Sequence, residues 1–511
     1  MTVGRADAEG GGDLELFGYL SRVARRNHQI LAGLDVDEPV EAIRNVAADV
    51  CSEARIRSEI ELTATSTAPA QQERARRRLR ARGSGLLVAH TREIAERVRH
   101  WQADATVTFA GDQYPYLSVP MKLADLADPD DRRSLSAAYW HQTEQVTADL
   151  ALAWSTRRQV AIDLGYCSYS AAYAHWKNLD LAEIAAVARA TIAATEQSYR
   201  ANLMRYLEFY AGVSPAHYHH CDLPRLFRGG HWDEAFPEGS LLPTTTAAAS
   251  ALGLDLTATP GVRLDLEKRA GKSVRPFCVA LRVPEEIYLV ALPKGGHRDY
   301  EEVLHELGHV AHFALADDTM PWELRYLPDD SVAEAVAYLF AGLLYEPEFL
   351  VRQLGMTTAA AAQFADYARF LECAMVRRYC AKTLFEIQAH EAGDLASSAD
   401  LYAWWMREVT GMDAPPDLVL TDTDTGLYAV QYLTAWFLAA HLRERLVADF
   451  GSAWFADAAA GSELHRIWTQ VNRHTSQTFL AEEVGVGALD WRPLCTSLAA
   501  RNPGRRHRAR G

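Results

Sequence analysis

Residues 300–312 read Tyr300-Glu-Glu-Val-Leu-His305-Glu306-Leu-Gly-His309-Val-Ala-His312, which contains the pattern His-Glu-x-x-His. On a helix, positions four apart share a face, so His305 and His309 can offer two imidazole nitrogens to one metal ion. Glu306 falls at the edge of that face, where a carboxylate can hold and deprotonate a water on the metal. The competing reading is a surface helix that happens to carry two histidines and an acid. Its position after a pair of strands, among apolar residues from Val303 to Leu315, argues against that. A catalytic zinc also needs a third protein ligand and an open position. The downstream candidates are Glu323, Glu334, Glu346 and Glu348. Glu323 and Glu346 stand near Pro321 and Pro347 in turn-like surroundings. Glu334 sits in the apolar run Ser331-Val-Ala-Glu334-Ala-Val-Ala, where an unpaired carboxylate would be costly to bury. It lies 25 residues past His309, enough for a turn and a second helix. The expected set is His305, His309 and Glu334 around one Zn2+ per chain. His217-Tyr-His219-His220-Cys221 lacks zinc-finger spacing, and His390-Glu391 lacks a second histidine, so neither is expected to bind metal.

The elements that must position these residues are mostly helices. Residues 14–62, Gln71–Arg99, Leu135–Gly165 and Leu181–Ala211 carry apolar positions at helical spacing. Arg76-Arg77-Arg78 is expected on a solvated helix face. Residues 213–260 shift to Pro, Gly, Thr and His and read as a long loop or hinge. The strands expected are Val274–Val283 and Ile287–Leu292, followed by a Lys294-Gly295-Gly296 turn and a helix over Tyr300–Leu315. Helices return from Ser331 to about Ala500. The resulting division is an unstructured N-terminus (1–12), an N-terminal helical lobe (13–212), a catalytic lobe (213–500) and a basic, unstructured tail (501–511).

The chain has 511 residues, of which 49% are hydrophobic and 23% charged, as in an ordinary globular protein with a sizeable core. Its formal net charge of −15 argues against nucleic acid as a general partner. No uncharged apolar run approaches the roughly 18–20 residues of a membrane span. No apolar h-region follows Met1, so no signal peptide is expected. Seven scattered cysteines without a Cys-x-x-Cys pair point to a reducing, cytoplasmic setting.

The segment His-Glu-Leu-Gly-His-Val-Ala-His312, with a glutamate 25 residues past its second histidine, resembles the M3 metallopeptidases, the thimet oligopeptidase and oligoendopeptidase F group. The position of His312 favours this group over the related angiotensin-converting enzyme and M32 carboxypeptidase families. Gly271-Lys272 through Arg275-Pro-Phe-Cys278 is similar to the segment leading into the edge strand before that family's zinc helix. Arg157-Arg-Gln-Val-Ala-Ile-Asp-Leu-Gly165-Tyr-Cys-Ser-Tyr169 and Gly426-Leu-Tyr428-Ala-Val-Gln-Tyr432 resemble two further stretches, so the likeness runs from about residue 155 to 440.

This resemblance implies a mainly α fold: a two-lobed helical ellipsoid around a deep channel, with a small β-sheet next to the zinc helix. It implies a zinc-dependent oligopeptidase acting on short unfolded peptides, with Glu306 as base. The edge strand, through Phe277, Cys278, Val279 and Ala280, together with His312, would contact the substrate. Tyr428 and Tyr432 would donate to the oxyanion. The family's histidine in the loop before these tyrosines is missing here. That loop reads Leu418-Val-Leu-Thr-Asp422-Thr-Asp424-Thr-Gly426, so one oxyanion or substrate contact is expected to be either missing or replaced by Asp422 or Asp424. The departure leaves two other readings open: a hydrolase acting on an amide-containing biosynthetic intermediate, and a catalytically silent, zinc-containing peptide-binding protein.

Overall fold

The computed structural model of the chain describes residues 11–499, apart from residues 257, 394 and 395, and is mainly helical. Residues 1–10 and 501–511, expected as unstructured ends, lie outside the described residues. Gly11 and Gly12, also expected to be unstructured, open the helix α1 (Gly11–Leu31).

The basic stretch over 71–99 lies inside one 36-residue helix, α2 (Pro69–Asp104), with proline in its first turn, where its missing N–H costs nothing. The arginine run on α2 is not a solvated face. Arg77 and Arg78 are only 3% and 7% exposed. Arg77 donates to the main-chain oxygens of Asn472 (2.9 Å) and His474 (3.2 Å). Arg78 joins Glu59 (2.9 Å) to Glu323 (2.7 Å). Buried guanidinium groups persist because carboxylates and carbonyls from distant segments meet them, which no local spacing reveals. The same pairing commits Glu323 to arginines, away from any metal.

Leu135–Gly165 is broken into a helix over Pro129–Thr143, a 3-10 turn and α3 (Thr147–Asp163). Next come α4 (Tyr169–Lys177), capped by the Ser168 hydroxyl, and α5 (Leu181–Ala211), whose Asp180 carboxylate caps the Ala182 and Glu183 amides. Residues 213–260 are not one loop. They hold short helices and the 14-residue helix Glu238–Ala251, which buries Leu241, Thr244, Thr245, Ala248 and Ala249.

Two strands, β1 (Thr106–Phe109) and β2 (Asp112–Pro115), form a hairpin that the sequence pattern did not suggest. The second sheet holds β3 (Val262–Asp265), β4 (Phe277–Arg282) and β5 (Glu286–Val290) in the order β3-β5-β4. β3 runs parallel to β5, and β4 antiparallel to it, with Phe277 opposite Val290 and Val279 opposite Tyr288. β4 is therefore an edge strand.

The remaining frame is α6 (His297–Ala314), α7 (Asp330–Ala341), α8 (Thr358–Ala392) and α9 (Tyr428–Phe450). α6 packs on α7, α7 on α9, and α8 on both α5 and α9. A contiguous cluster of buried side chains runs through these helices from Ile56 to Leu498, so the two halves read from the sequence share one core. No helix among the described residues is long and apolar enough to cross a membrane.

Candidate metal centre

α6 forms where the pattern predicts. Asp299 accepts the Lys294 and Gly295 amides (2.7 and 3.0 Å), closing the turn at its N-terminus. Val303, Leu304, Leu307, Val310 and Ala311 are fully buried, which fixes the rotation of the helix and turns His305, Glu306 and His309 toward the half-exposed side. α7 starts at the Asp329 cap and is apolar almost all round, with Glu334 only 5% exposed. The two helices approach closely at Gly308, where an added Cβ would stand 2.5 Å from the Ala337 Cα and 2.9 Å from the Val336 oxygen. Both are backbone atoms and cannot swing aside. Gly308→Ala is therefore expected to destabilise the fold: overpacking costs about 1–3 kcal/mol, while alanine returns only about 1 kcal/mol of helix propensity. Scanning calorimetry should show a lower Tm; an unchanged or higher Tm would mean that the helices can separate freely.

Glu334 Oε2 stands 3.2 Å from His305 Nε2 and 3.7 Å from His309 Nε2. The three ligating atoms lie within 4.8 Å of one another. Glu334 Oε2 is buried without a hydrogen bond of good geometry. Its partner oxygen, Oε1, accepts from the Tyr428 hydroxyl at 2.9 Å. Two imidazoles and one buried carboxylate oxygen facing a common point fit a zinc ion with its fourth position open. Burial pushes the His309 imidazole down to about 4, whereas the Glu334 carboxylate outweighs burial at His305 and raises it.

Glu306 lies beside this centre, with Oε2 accepting the Cys278 amide of β4 at 2.8 Å. Burial pushes its carboxyl up to about 7, and a nearby cation would act in the opposite sense. Because the Cys278 amide points to Glu306 and not to β5, alternation along the strand turns Ala280 to the same free edge, while Phe277 and Val279 pair with β5.

A cavity of about 280 Å³ opens on His305 and Glu306. Tyr432 lines it and is half-buried. Burial and the Glu334 carboxylate raise its phenol above the ordinary value, so the hydroxyl stays a donor. Tyr428 and Tyr432 meet at 4.6 Å between ring centroids. Gly426 and Leu427, both with positive φ (74° and 53°), make the turn that starts α9 at Tyr428. The Gly426 amide donates to the Tyr169 hydroxyl at 2.8 Å, so two stretches that resembled the family in sequence touch each other.

Two expectations need correction. His312 is fully buried beside Arg77 and Asn472, so it packs behind the centre instead of touching substrate. Asp422 is held by Arg378 and by the Tyr402 hydroxyl (2.5 Å), and Asp424 by Lys382 (2.9 Å). Neither lines the cavity at His305, so they do not take the place of the absent histidine. His219 caps a 3-10 turn, and His390 packs on Trp154 and Tyr169, consistent with a structural role for both. The sequence reading missed Tyr338 and Tyr379. Tyr338 meets His305 edge-on at 5.4 Å and stacks on Trp436, and both tyrosines line the cavity. The signal for Tyr338 was its place four residues after Glu334, on the same helix face.

No family model matches the sequence, and no curated protein matches it. Among solved structures, the fold matches one described as "a putative oligoendopeptidase F from Bacillus anthracis str. Ames", with a TM-score of 0.64. The match covers 95% of this chain and 88% of that one, at 12% identity. The likeness is one of fold. It spans nearly the whole chain, beyond residues 155–440, where motifs resemble the M3 group.

Proposed function

We propose that this protein is a zinc-dependent peptidase that hydrolyses peptide bonds in short, extended peptides, as the resemblance to the M3 group implies. The observation that carries this reading is the convergence of His305, His309 and Glu334 on one point, with Glu306 beside it and against an open strand edge. When bound, zinc supplies the Lewis acidity that polarises a carbonyl and acidifies a water molecule. The chain's own groups do the rest. Ala280, at the free edge of β4, offers main-chain groups to a substrate added as a further strand. Glu306, with Oε2 fixed by the Cys278 amide, has Oε1 free to take the proton of the attacking water and return it to the leaving amine. The Tyr432 hydroxyl donates to the carbonyl oxygen as charge develops there. Tyr428 acts one step back, orienting Glu334. A carboxylate base beside an open position argues against a structural zinc, which would close that position with a fourth ligand. Seven free cysteines suit the cytoplasmic setting we assign to the protein.

The test is mass spectrometry of a mixed peptide library after incubation with the zinc-loaded protein. Peptides of roughly 5–20 residues should be cut and a native folded protein spared, because only an extended chain can add to a strand edge. Chelation should abolish the cutting. No cleavage after zinc loading, or rapid digestion of the folded protein, would end this reading. Tyr428→Phe removes one hydrogen bond to Glu334 and should weaken zinc binding about 10–100-fold, the usual effect of losing such an outer partner. Competition with a fluorescent chelator measures it, and unchanged affinity would make Tyr428 a packing residue.

A further inference from the structure

A second cavity, also of about 280 Å³, lies between α2, α3 and α4 and the turn before α9, and Tyr428 lines it. Its lining includes Arg80, Arg157, Lys177 and one acid, Asp330. Arg80 (3.2 Å) and Lys177 (3.4 Å) share that single carboxylate. Arg157 lies over the Trp154 ring at 5.6 Å and has no hydrogen bond or ion pair among the described residues. Three cations therefore face one anion.

The cavity is linked to the candidate metal centre through Tyr428. The Lys177 ammonium lies 5.4 Å from the centre of the Tyr428 ring, and the hydroxyl of that ring holds Glu334. The Glu306 cavity lacks this excess of cations: Glu301 and Glu302 stand against Arg275 and Arg298, and burial raises Glu306 to about 7 and Glu372 to about 8. The potential is therefore more positive on the Arg157 side of the centre, and the field points from that side toward the Glu306 cavity. A short peptide has an ammonium at one end and a carboxylate at the other, and such a field fixes which end goes where.

We propose that the Arg157 cavity is an anion subsite that takes the carboxylate of a bound peptide, the C-terminal α-carboxylate or an acidic side chain near that end. Arg157 is the direct partner because its planar fork matches a carboxylate and, apart from its stacking over Trp154, no hydrogen bond or ion pair among the described residues engages it. Arg80 and Lys177 remain tied to Asp330 and supply positive potential. This inference rests on the peptidase reading and goes further in naming the charge and direction of the substrate.

The experiment uses the zinc-loaded protein and a set of peptides of 5–12 residues, each made as a free acid, as a C-terminal amide, and as an amide with glutamate as its last residue. Binding is read by fluorescence polarisation and cleavage by KM and kcat. Free acids should bind and be cleaved with lower KM than amides, and Arg157→Gln should remove that preference, raising KM for free acids about 10–100-fold, as expected for loss of a charge-assisted hydrogen bond. Arg157→Lys should restore part of it, and Tm should be unchanged in both variants. If the glutamate amides match the free acids, the site takes an acidic side chain as readily as a chain terminus. Cleavage of acids and amides with equal KM would overturn the anion subsite and leave the peptidase reading standing. Preferential, Arg157-dependent binding of free acids without any cleavage would do the reverse.

Discussion

Glu306→Gln is expected to keep the zinc and lose turnover. The substitution leaves the side chain's shape and an oxygen that can still accept the Cys278 amide. It removes only the ability to take a proton. The proposed ligands, His305, His309 and Glu334, are untouched, so zinc analysis should return one equivalent, as for the unsubstituted chain. Loss of a positioned general base typically costs about 10²–10⁴-fold, and the loss should fall on kcat for the best peptide found in the library. Near-normal kcat with full zinc would mean that Glu306 is not the base. Loss of zinc together with activity would mean that it serves the metal.

The second large effect is expected for Tyr432→Phe. Tyr428 is spent on Glu334 and the loop aspartates on Arg378 and Lys382, so Tyr432 stands as the hydroxyl beside Glu306 with no hydrogen bond of its own among the described residues. Removing one oxyanion donor costs about 2.7–4 kcal/mol, roughly a hundred- to a thousand-fold in kcat. KM should change little, because the oxyanion exists only in the transition state. Folding should survive, since the ring keeps its contacts with Tyr338, Tyr379 and Tyr428. If kcat is unchanged, Tyr432 is packing, and Tyr379, which lines the same cavity, is the next hydroxyl to remove. The contrast with Tyr428→Phe is diagnostic, because one variant should lose turnover and the other metal affinity.

The local part of the centre was legible in the sequence because it is written in helical spacing. His305, Glu306 and His309 share a helix turn, and apolar neighbours at regular intervals set which way that turn faces. Glu334 could be chosen because a lone acid in an apolar helix must have a partner. The mainly helical fold followed from the same periodicity over long stretches, with α5 found to its ends because a capping aspartate and a glycine bound it. What the sequence could not decide depends on segments far apart in the chain. The arginine run on α2 reads as solvated until Glu59, Glu323 and the 471–474 turn arrive to bury it. His312 and His309 are alike by pattern, and only packing against the Arg77 and Asn472 region puts one in the core and the other at the centre. Tyr428 and Tyr432 are one helical turn apart and chemically identical. The separate roles proposed for them come from what each hydroxyl meets, Glu334 for one and an open cavity for the other. Periodicity records which face of an element is apolar. Which partner that face or a given polar atom meets is set by long-range packing, and that is where the tertiary structure had to decide.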